Sequence, residues 1–427
     1  MVLRARRALD MLRGSLPAVR EREVPLPARP VNEIERALMA HPGVADAFLS
    51  AEPGHGGQSE VAFVAIDPDH LSAGKAKHLQ AESDRRVAQW RRAFDQAYRH
   101  DADGVVPSFV GWTSNFTNRP IPEPDMVDWL DHTILQIRAL GARRVLEIGC
   151  GVGLLVEKLA PGCDVYCGTD LSPVAVQRLR AFVQSKPELR HVEFLEREAA
   201  DLSGLPLNSF DAVVLNSIVQ YFPGIEYLHL VLEQAAGLVA PGGHIFVGDV
   251  RNLELLPVFH REVQSAKVSG ATDAALARKI FLSIAQEREL VIDPRYFQGI
   301  FGSIPRISGA EILLKRGSSY ELTRYRYDVV LRVDREAASA DSENSSLVPD
   351  MKQGESEGRP LATDPMAAAF LQHLGMELGD VLQAQFPEAK LPAAVIALNQ
   401  RDFAEIVQAS SNAPGDRGDN ELVEASV

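Results

Sequence analysis

The run Arg144-Val-Leu-Glu-Ile-Gly-Cys-Gly-Val-Gly-Leu joins a short apolar strand to three alternate glycines and a helix. Glycines at 149, 151 and 153 let a backbone turn tightly and approach a ligand without Cβ interference. A dinucleotide-binding turn needs glycine at 154, where Leu154 stands, and no Lys-Ser/Thr pair follows as a phosphate loop requires. Glu147 ends the strand and puts a carboxylate beside the loop. That charge repels phosphate and suits a ligand with an amino group and a positive charge. Asp170, with Leu171 after it, ends the next apolar run, where a carboxylate accepts hydrogen bonds from both hydroxyls of a ribose. After the third run, Glu198 and Ala199 offer a side chain and a backbone N–H to an adenine edge. The ligand that combines these features is S-adenosylmethionine. Cys150 is expected to fill a narrow position in the loop, because the neighbouring Glu147 raises its pKa and makes it a poor nucleophile.

Ligands in open α/β sheets sit beyond the carboxyl ends of the strands, so residues leaving the fourth and fifth strands should face the reacting group. These are Asn216, Ser217, Gln220, Tyr221, Asp249 and Arg251. Asn216, Ser217 and Gln220 are expected to touch the cofactor, and Asn216 and Tyr221 to orient an amine. Asp249 or His260 is expected to take a proton, carboxylates and imidazoles being the usual general bases.

The elements that must position these groups alternate along the chain. Apolar runs at 144–148, 165–169, 192–195, 212–216 and 244–249 read as strands, and 154–159, 173–184 and 227–238 as helices between them. Short connections between strand and helix mark a doubly wound parallel sheet. Residues 310–314 and 327–333, parted only by a turn, add an antiparallel pair and bring the sheet to seven mostly parallel strands. A helical stretch at 255–290 is placed as a cap over the sheet's carboxyl edge. Ahead of this lie a basic helix and linker (1–30), a helix and hairpin with the turn GHGG (31–68), and a polar helix-prone segment at 80–99. Behind it lie a linker of disordered composition (334–360), a helix–strand piece (361–400) and a loose tail (410–427). Taken alone, the helix and hairpin at 31–68 are too small for a stable domain.

The 427 residues carry 44 Lys and Arg against 58 Asp and Glu, a net charge of −14 that disfavours nucleic acid and anionic membrane as partners. Three cysteines are too few for a disulfide framework and suit a reducing cytoplasm. Cys163 and Cys167 lack a second ligand pair, so no metal is expected. No apolar stretch is long enough to span a bilayer.

The ordered set resembles the class I S-adenosylmethionine-dependent methyltransferases over about residues 99–333. The segments SFVGWTSNFTNRPIPEPDMVDW, VLEIGCGVGLL, SFDAVVLNSIVQYFPGIEYL, GGHIFVGDVRNLELL and ELTRYRYDVVL are similar to the methyltransferase domains inserted into adenylation domains of nonribosomal peptide synthetases. NEIERALMAHPGVADAFL with VAFVAID resembles the start of the small adenylation subdomain, and LQAQFPEAKLPAAVIAL its end. The resemblance implies a methyltransferase domain at 80–333, with a lid at 99–130 and a core at 131–333, between the two parts of that subdomain. It also implies that the N- and C-terminal segments together form this small α+β subdomain. It places Trp112, Asn115 and Phe116 in the lid, where an aromatic face also attracts a sulfonium. It implies N- or C-methylation of an amino acid, aminoacyl or peptidyl group, free or held on a carrier protein, with a synthetase as partner.

Two departures stand out: the large adenylation subdomain is missing, and Asn399-Gln400-Arg401-Asp402 replaces the Pro-Asn-Gly-Lys segment, so adenylation is not expected. Two alternatives stay open. Relatives of this type include enzymes that cyclise S-adenosylmethionine to azetidine-2-carboxylate and methylthioadenosine, where Asn216, Ser217 and Tyr221 would hold the attacking amine. The other is a non-catalytic module that docks on a synthetase.

Overall fold

The computed structural model describes residues 31–54, 57–100, 108–109, 111–267, 273–317, 320–334, 360–387, 389 and 391–411. The basic helix expected at 1–30, the interior of the expected linker (335–359) and the tail beyond residue 411 lie outside them.

Seven strands make the large sheet: β3 (Arg144–Ile148), β4 (Val165–Asp170), β5 (Val192–Glu196), β6 (Phe210–Asn216), β7 (Val239–Arg251), β8 (Ile307–Leu314) and β9 (Arg326–Val333). Their spatial order is β5-β4-β3-β6-β7-β9-β8. The first five are parallel, and β9 runs antiparallel to both β7 and β8. The order reverses between β3 and β6, so the crevice for a ligand opens at the carboxyl ends of those strands.

Side-chain alternation sorts each strand between two cores. Leu146, Val213, Leu215, Ile245 and Val247 pack on one face with Leu228, Val231 and Leu232 of helix Ile225–Leu238. Val145, Val214 and Phe246 pack on the other with Met126, Trp129 and Ile134 of helix Glu123–Ala139. Central strands buried on both faces explain why they read as unbroken apolar runs.

A second sheet joins distant parts of the chain. β1 (Val44–Gly54) and β2 (Gly57–Ile66) form the expected hairpin, and β10 (Ala394–Leu398) lies parallel to β2. Helices Glu33–Met39 and Pro365–Gln385 cover one face, with Leu38, Leu371, Leu374 and Leu378 in the core. The other face meets Phe403 and Ile406 of helix Gln400–Ser411, together with Phe281 and Leu282 of helix Asp273–Ala285.

Three elements differ from the sequence reading. The helix expected near 80–99 runs from Pro68 to His100 without a break. A five-residue helix, Tyr320–Arg324, sits between β8 and β9, too short to cross the sheet. Helix Gln400–Ser411 begins in the segment read as a departure, runs through residues 403–409, for which the sequence reading gives no element, and reaches the start of the expected tail. Among the described residues no helix is long and apolar enough to cross a membrane.

Candidate functional site

The glycine loop after β3 folds back onto β4. Backbone N–H groups of Gly149 and Cys150 donate to the Thr169 carbonyl at 2.8 and 2.9 Å. Gly149 has φ +76°, and a Cβ there would lie 2.5 Å from Ile218 Cγ2, so space and backbone both demand glycine. Gly151 (φ +51°) donates its N–H to Asp170 Oδ2 at 2.8 Å. Gly153 (φ +82°) stands at the head of helix Leu154–Leu159 and does not line the cleft, so it shapes the loop without facing a ligand. Cys150 Sγ fills the gap above Gly168, 3.1 Å from where a Cβ would stand, and burial pushes its thiol pKa well up.

Two buried carboxyls flank the loop. Burial raises the Glu147 carboxyl to about 7, although the Tyr166 hydroxyl donates to it at 2.6 Å. Burial likewise raises Asp170 to about 6, against N–H donors from Ser172 and Gly151. Each gains most by facing a cation or hydroxyl donors.

A cleft of about 370 Å³ opens over these groups. Trp112, Glu147, Gly149, Cys150, Gly151, Asp170 and Leu171 line it from the β3 and β4 side. Glu198, Ala199, Asn216, Ser217, Gln220 and Tyr221 line it from β5 and β6. Gln220 Oε1 and Asn216 Oδ1 are buried acceptors without a hydrogen-bond partner, which is unusual enough to mark a place for a ligand's N–H groups. Two carboxyls, two orphaned acceptors and glycine turns fit S-adenosylmethionine, with its ribose hydroxyls, amino groups and positive charge.

Asp249 departs from expectation. A bulge in the β7–β9 pairing between Val247 and Val250 turns its side chain inward, with φ +65°, into full burial. It accepts from Ser217 Oγ at 2.9 Å and Trp129 Nε1 at 3.2 Å, pairs with Arg326, and has Lys315 Nζ at 3.8 Å. Lys315 also pairs with Asp328 at 2.9 Å. Burial alone would raise the Asp249 pKa, but Arg326 and Lys315 outweigh it and hold the carboxyl below the usual range. A saturated carboxylate so held is a poor proton acceptor, so Asp249 is corrected from base to positioning residue. It holds Arg326, which does line the cleft, and Ser217, itself strained at φ +57°.

His260 and Arg251 are also absent from this cleft. They line an adjoining pocket of about 680 Å³, which shares Trp90, Asn115 and Glu289 with it. Arg251 donates to Glu289 at 2.7 Å and to Glu287 at 3.0 Å, and His260 Nε2 lies 3.1 Å from Glu287 Oε2. Burial, which would raise Glu287, is outweighed by Arg251 and His260, and its carboxyl is held at about 2. In the segment expected as a lid, the backbone N–H and the side-chain amide of Asn115 both donate to Glu321 Oε1 at 2.8 Å, while Phe116 packs edge-on against Phe259.

The sequence reading missed the cleft's roof. Trp90, Phe94 and Tyr98 of helix Pro68–His100 line it, with Trp90 and Phe94 at 4.5 and 5.2 Å from the Tyr221 ring. Their i, i+4, i+8 spacing was a legible signal for one helix face. Burial pushes the Tyr221 hydroxyl up to about 12, so it stays protonated.

A protein-family profile described as "Methyltransferase domain" matches residues 146–245. Chondramide synthase of Chondromyces crocatus is 38% identical over 315 residues, 71% of this chain and 8% of its own length. A probable nonribosomal peptide synthetase of Salinispora arenicola is 39% identical over 300 residues, 70% of this chain and 4% of its own. The chain thus spans less than a tenth of these curated relatives. The solved magnesium protoporphyrin IX methyltransferase of Synechocystis, with bound S-adenosylhomocysteine, covers 57% of this chain and 99% of its own at 15% identity and a TM-score of 0.37.

Proposed function

We propose, from the methyltransferase-domain profile that residues 146–245 match, that this chain uses S-adenosylmethionine to methylate an amino nitrogen or α-carbon of an amino acid, aminoacyl or peptidyl group in nonribosomal peptide synthesis. One observation carries the reading. The buried Glu147, Asp170 and orphaned Gln220 oxygen converge at the ends of neighbouring strands, beside a second polar pocket large enough for an acceptor.

When bound, the cofactor supplies a methyl group already activated by its sulfonium, so the protein's task is mostly positioning. Asp170 holds the ribose hydroxyls, and Glu147 favours the positive charge. Glu198 and Ala199 read the adenine edge, and the Gln220 and Asn216 oxygens accept N–H groups. Trp112 and the Trp90–Phe94–Tyr98 face shield the cleft from water. Arg326, held by Asp249, and the protonated Tyr221 hydroxyl orient the acceptor where the two pockets meet. His260 donates Nε2–H to Glu287, which leaves Nδ1 free to take the acceptor's proton. Three free thiols support a reducing compartment such as the cytoplasm.

The test is to incubate the chain with S-adenosylmethionine, alone and with aminoacyl-loaded carrier proteins or free amino acids, and identify the adenosine product by mass spectrometry. S-adenosylhomocysteine formed only with an acceptor is the expected result. Methylthioadenosine released without an acceptor would replace this reading with cyclisation, and absent cofactor binding would leave a docking module.

A further inference from the structure

The chamber around His260 is built by two structural units. One wall is helix Pro365–Gln385, which belongs to the three-stranded sheet. Leu371, Leu374, Leu378 and Leu382 bury one face of this helix on that sheet. Gly375 brings the two so close that a Cβ there would lie 2.6 Å from the Val395 carbonyl oxygen. Ala369, Gln372 and Met376 fall on the opposite face at i, i+3 and i+7, and that face lines the chamber.

The wall is also held in register with the catalytic side. Backbone N–H groups of Thr363 and Asp293 donate to the carbonyls of Val291 and Leu361 at 3.0 and 2.8 Å. The Thr363 hydroxyl donates to the Glu289 carbonyl at 2.8 Å and accepts from the Val291 N–H at 2.9 Å. This strap fastens the start of the helix beside Glu289, one of the residues shared by both pockets. A helix so clamped at its start and packed so tightly along its inner face is a rigid surface, which a specificity wall requires.

From this we infer that the three-stranded unit determines acceptor size: the outer face of helix Pro365–Gln385, through Ala369, Gln372 and Met376, is the specificity wall of the acceptor chamber. The inference rests on the reading of that chamber as the acceptor's site. A unit that looks like a leftover of another enzyme then has a direct part in the reaction.

The test uses the full chain with alanyl and phenylalanyl N-acetylcysteamine thioesters as acceptors. Ala369→Phe should raise the alanyl-to-phenylalanyl ratio of kcat/KM about tenfold or more, the size of effect that a few methylenes produce in a pocket. Met376→Ala should shift the ratio the opposite way. Calorimetric affinity for S-adenosylmethionine should be unchanged in both, and Val381→Ala, on another face of the same helix, should leave the ratio alone. A merely structural role would lower both acceptors equally, so equal losses or an unmoved ratio overturn the wall. If Ala369→Phe does not fold, Met376→Ala alone decides. If the unsubstituted chain forms S-adenosylhomocysteine with neither thioester nor any carrier-bound acceptor, the methyl-transfer reading fails, and the wall with it.

Discussion

The cleft proposed for the cofactor and the chamber proposed for the acceptor share Trp90, Asn115 and Glu289, yet they are built on opposite principles. Most polar groups of the cleft stand at the ends of successive strands β3, β4, β5 and β6, each within a few residues of a glycine turn or strand end. The chamber is assembled from helix Pro68–His100, helix Leu256–Lys267, the 286–289 loop and helix Pro365–Gln385. A ligand common to many proteins can be held by a local motif. A ligand particular to one protein is met by a surface that only the folded chain brings together.

The comparison can be broken by substitution. The largest effect should come from Gly149→Val, which combines a left-handed backbone with a clash against Ile218 and should abolish S-adenosylmethionine binding in a calorimeter. Retained binding would mean that the loop does not hold the cofactor. Next, His260→Ala should lower kcat by about 10²- to 10⁴-fold, the usual worth of a general base, while cofactor affinity stays the same. Loss of affinity instead would show that the two pockets are not separable. Asp249→Ala should destabilise the fold by about 3 kcal/mol in denaturant titration, because Arg326 loses its buried partner while Lys315 keeps only Asp328. A change confined to turnover would restore Asp249 as a reacting group.

A pH effect of similar or smaller size sharpens the cleft's side of the comparison. The Glu147 carboxyl titrates near 7 in the folded chain and near 4.5 when unfolded, so the folded state binds the proton more tightly. Its contribution to stability is therefore full below about pH 4.5 and is lost as pH rises through 7. Relative to Glu147→Gln, the cofactor-free protein should lose about 3 kcal/mol between pH 4.5 and 8. The same ionisation strengthens attraction for a cationic ligand, so S-adenosylmethionine should raise Tm more at pH 8 than at pH 5.5. A ligand-induced shift independent of pH would remove Glu147 from the site. Smallest is Trp90→Ala, which should weaken cofactor binding by about 1 kcal/mol through lost aromatic packing on Tyr221.

Particular residues show where reading the chain reached and where it stopped. Glu147, Gly151 and Asp170 could be placed because strand period, turn chemistry and burial are local constraints. Asp249 stands near the carboxyl end of β7 as Glu147 and Asp170 do in β3 and β4, and the same reasoning misjudged it. Its partners Lys315, Asp328 and Arg326 arrive from remote segments and turn an apparent base into a saturated, charged anchor. The aromatic stripe of Trp90, Phe94 and Tyr98 was visible as a pattern. Nothing local says that a helix starting against the small sheet ends over the cofactor loop.

The sequence by itself determined the doubly wound sheet, its antiparallel final pair and the strand ends that line the cleft. Hydrophobic period and glycine placement act over a few residues and leave few alternatives. Tertiary structure alone decided which carboxylates keep their charge, that His260 meets the carboxylate of Glu287 from a distant segment, and that the three-stranded unit supplies a wall of the second pocket. Those outcomes depend on desolvation and on charges brought together from distant segments, and both exist only once the chain has packed.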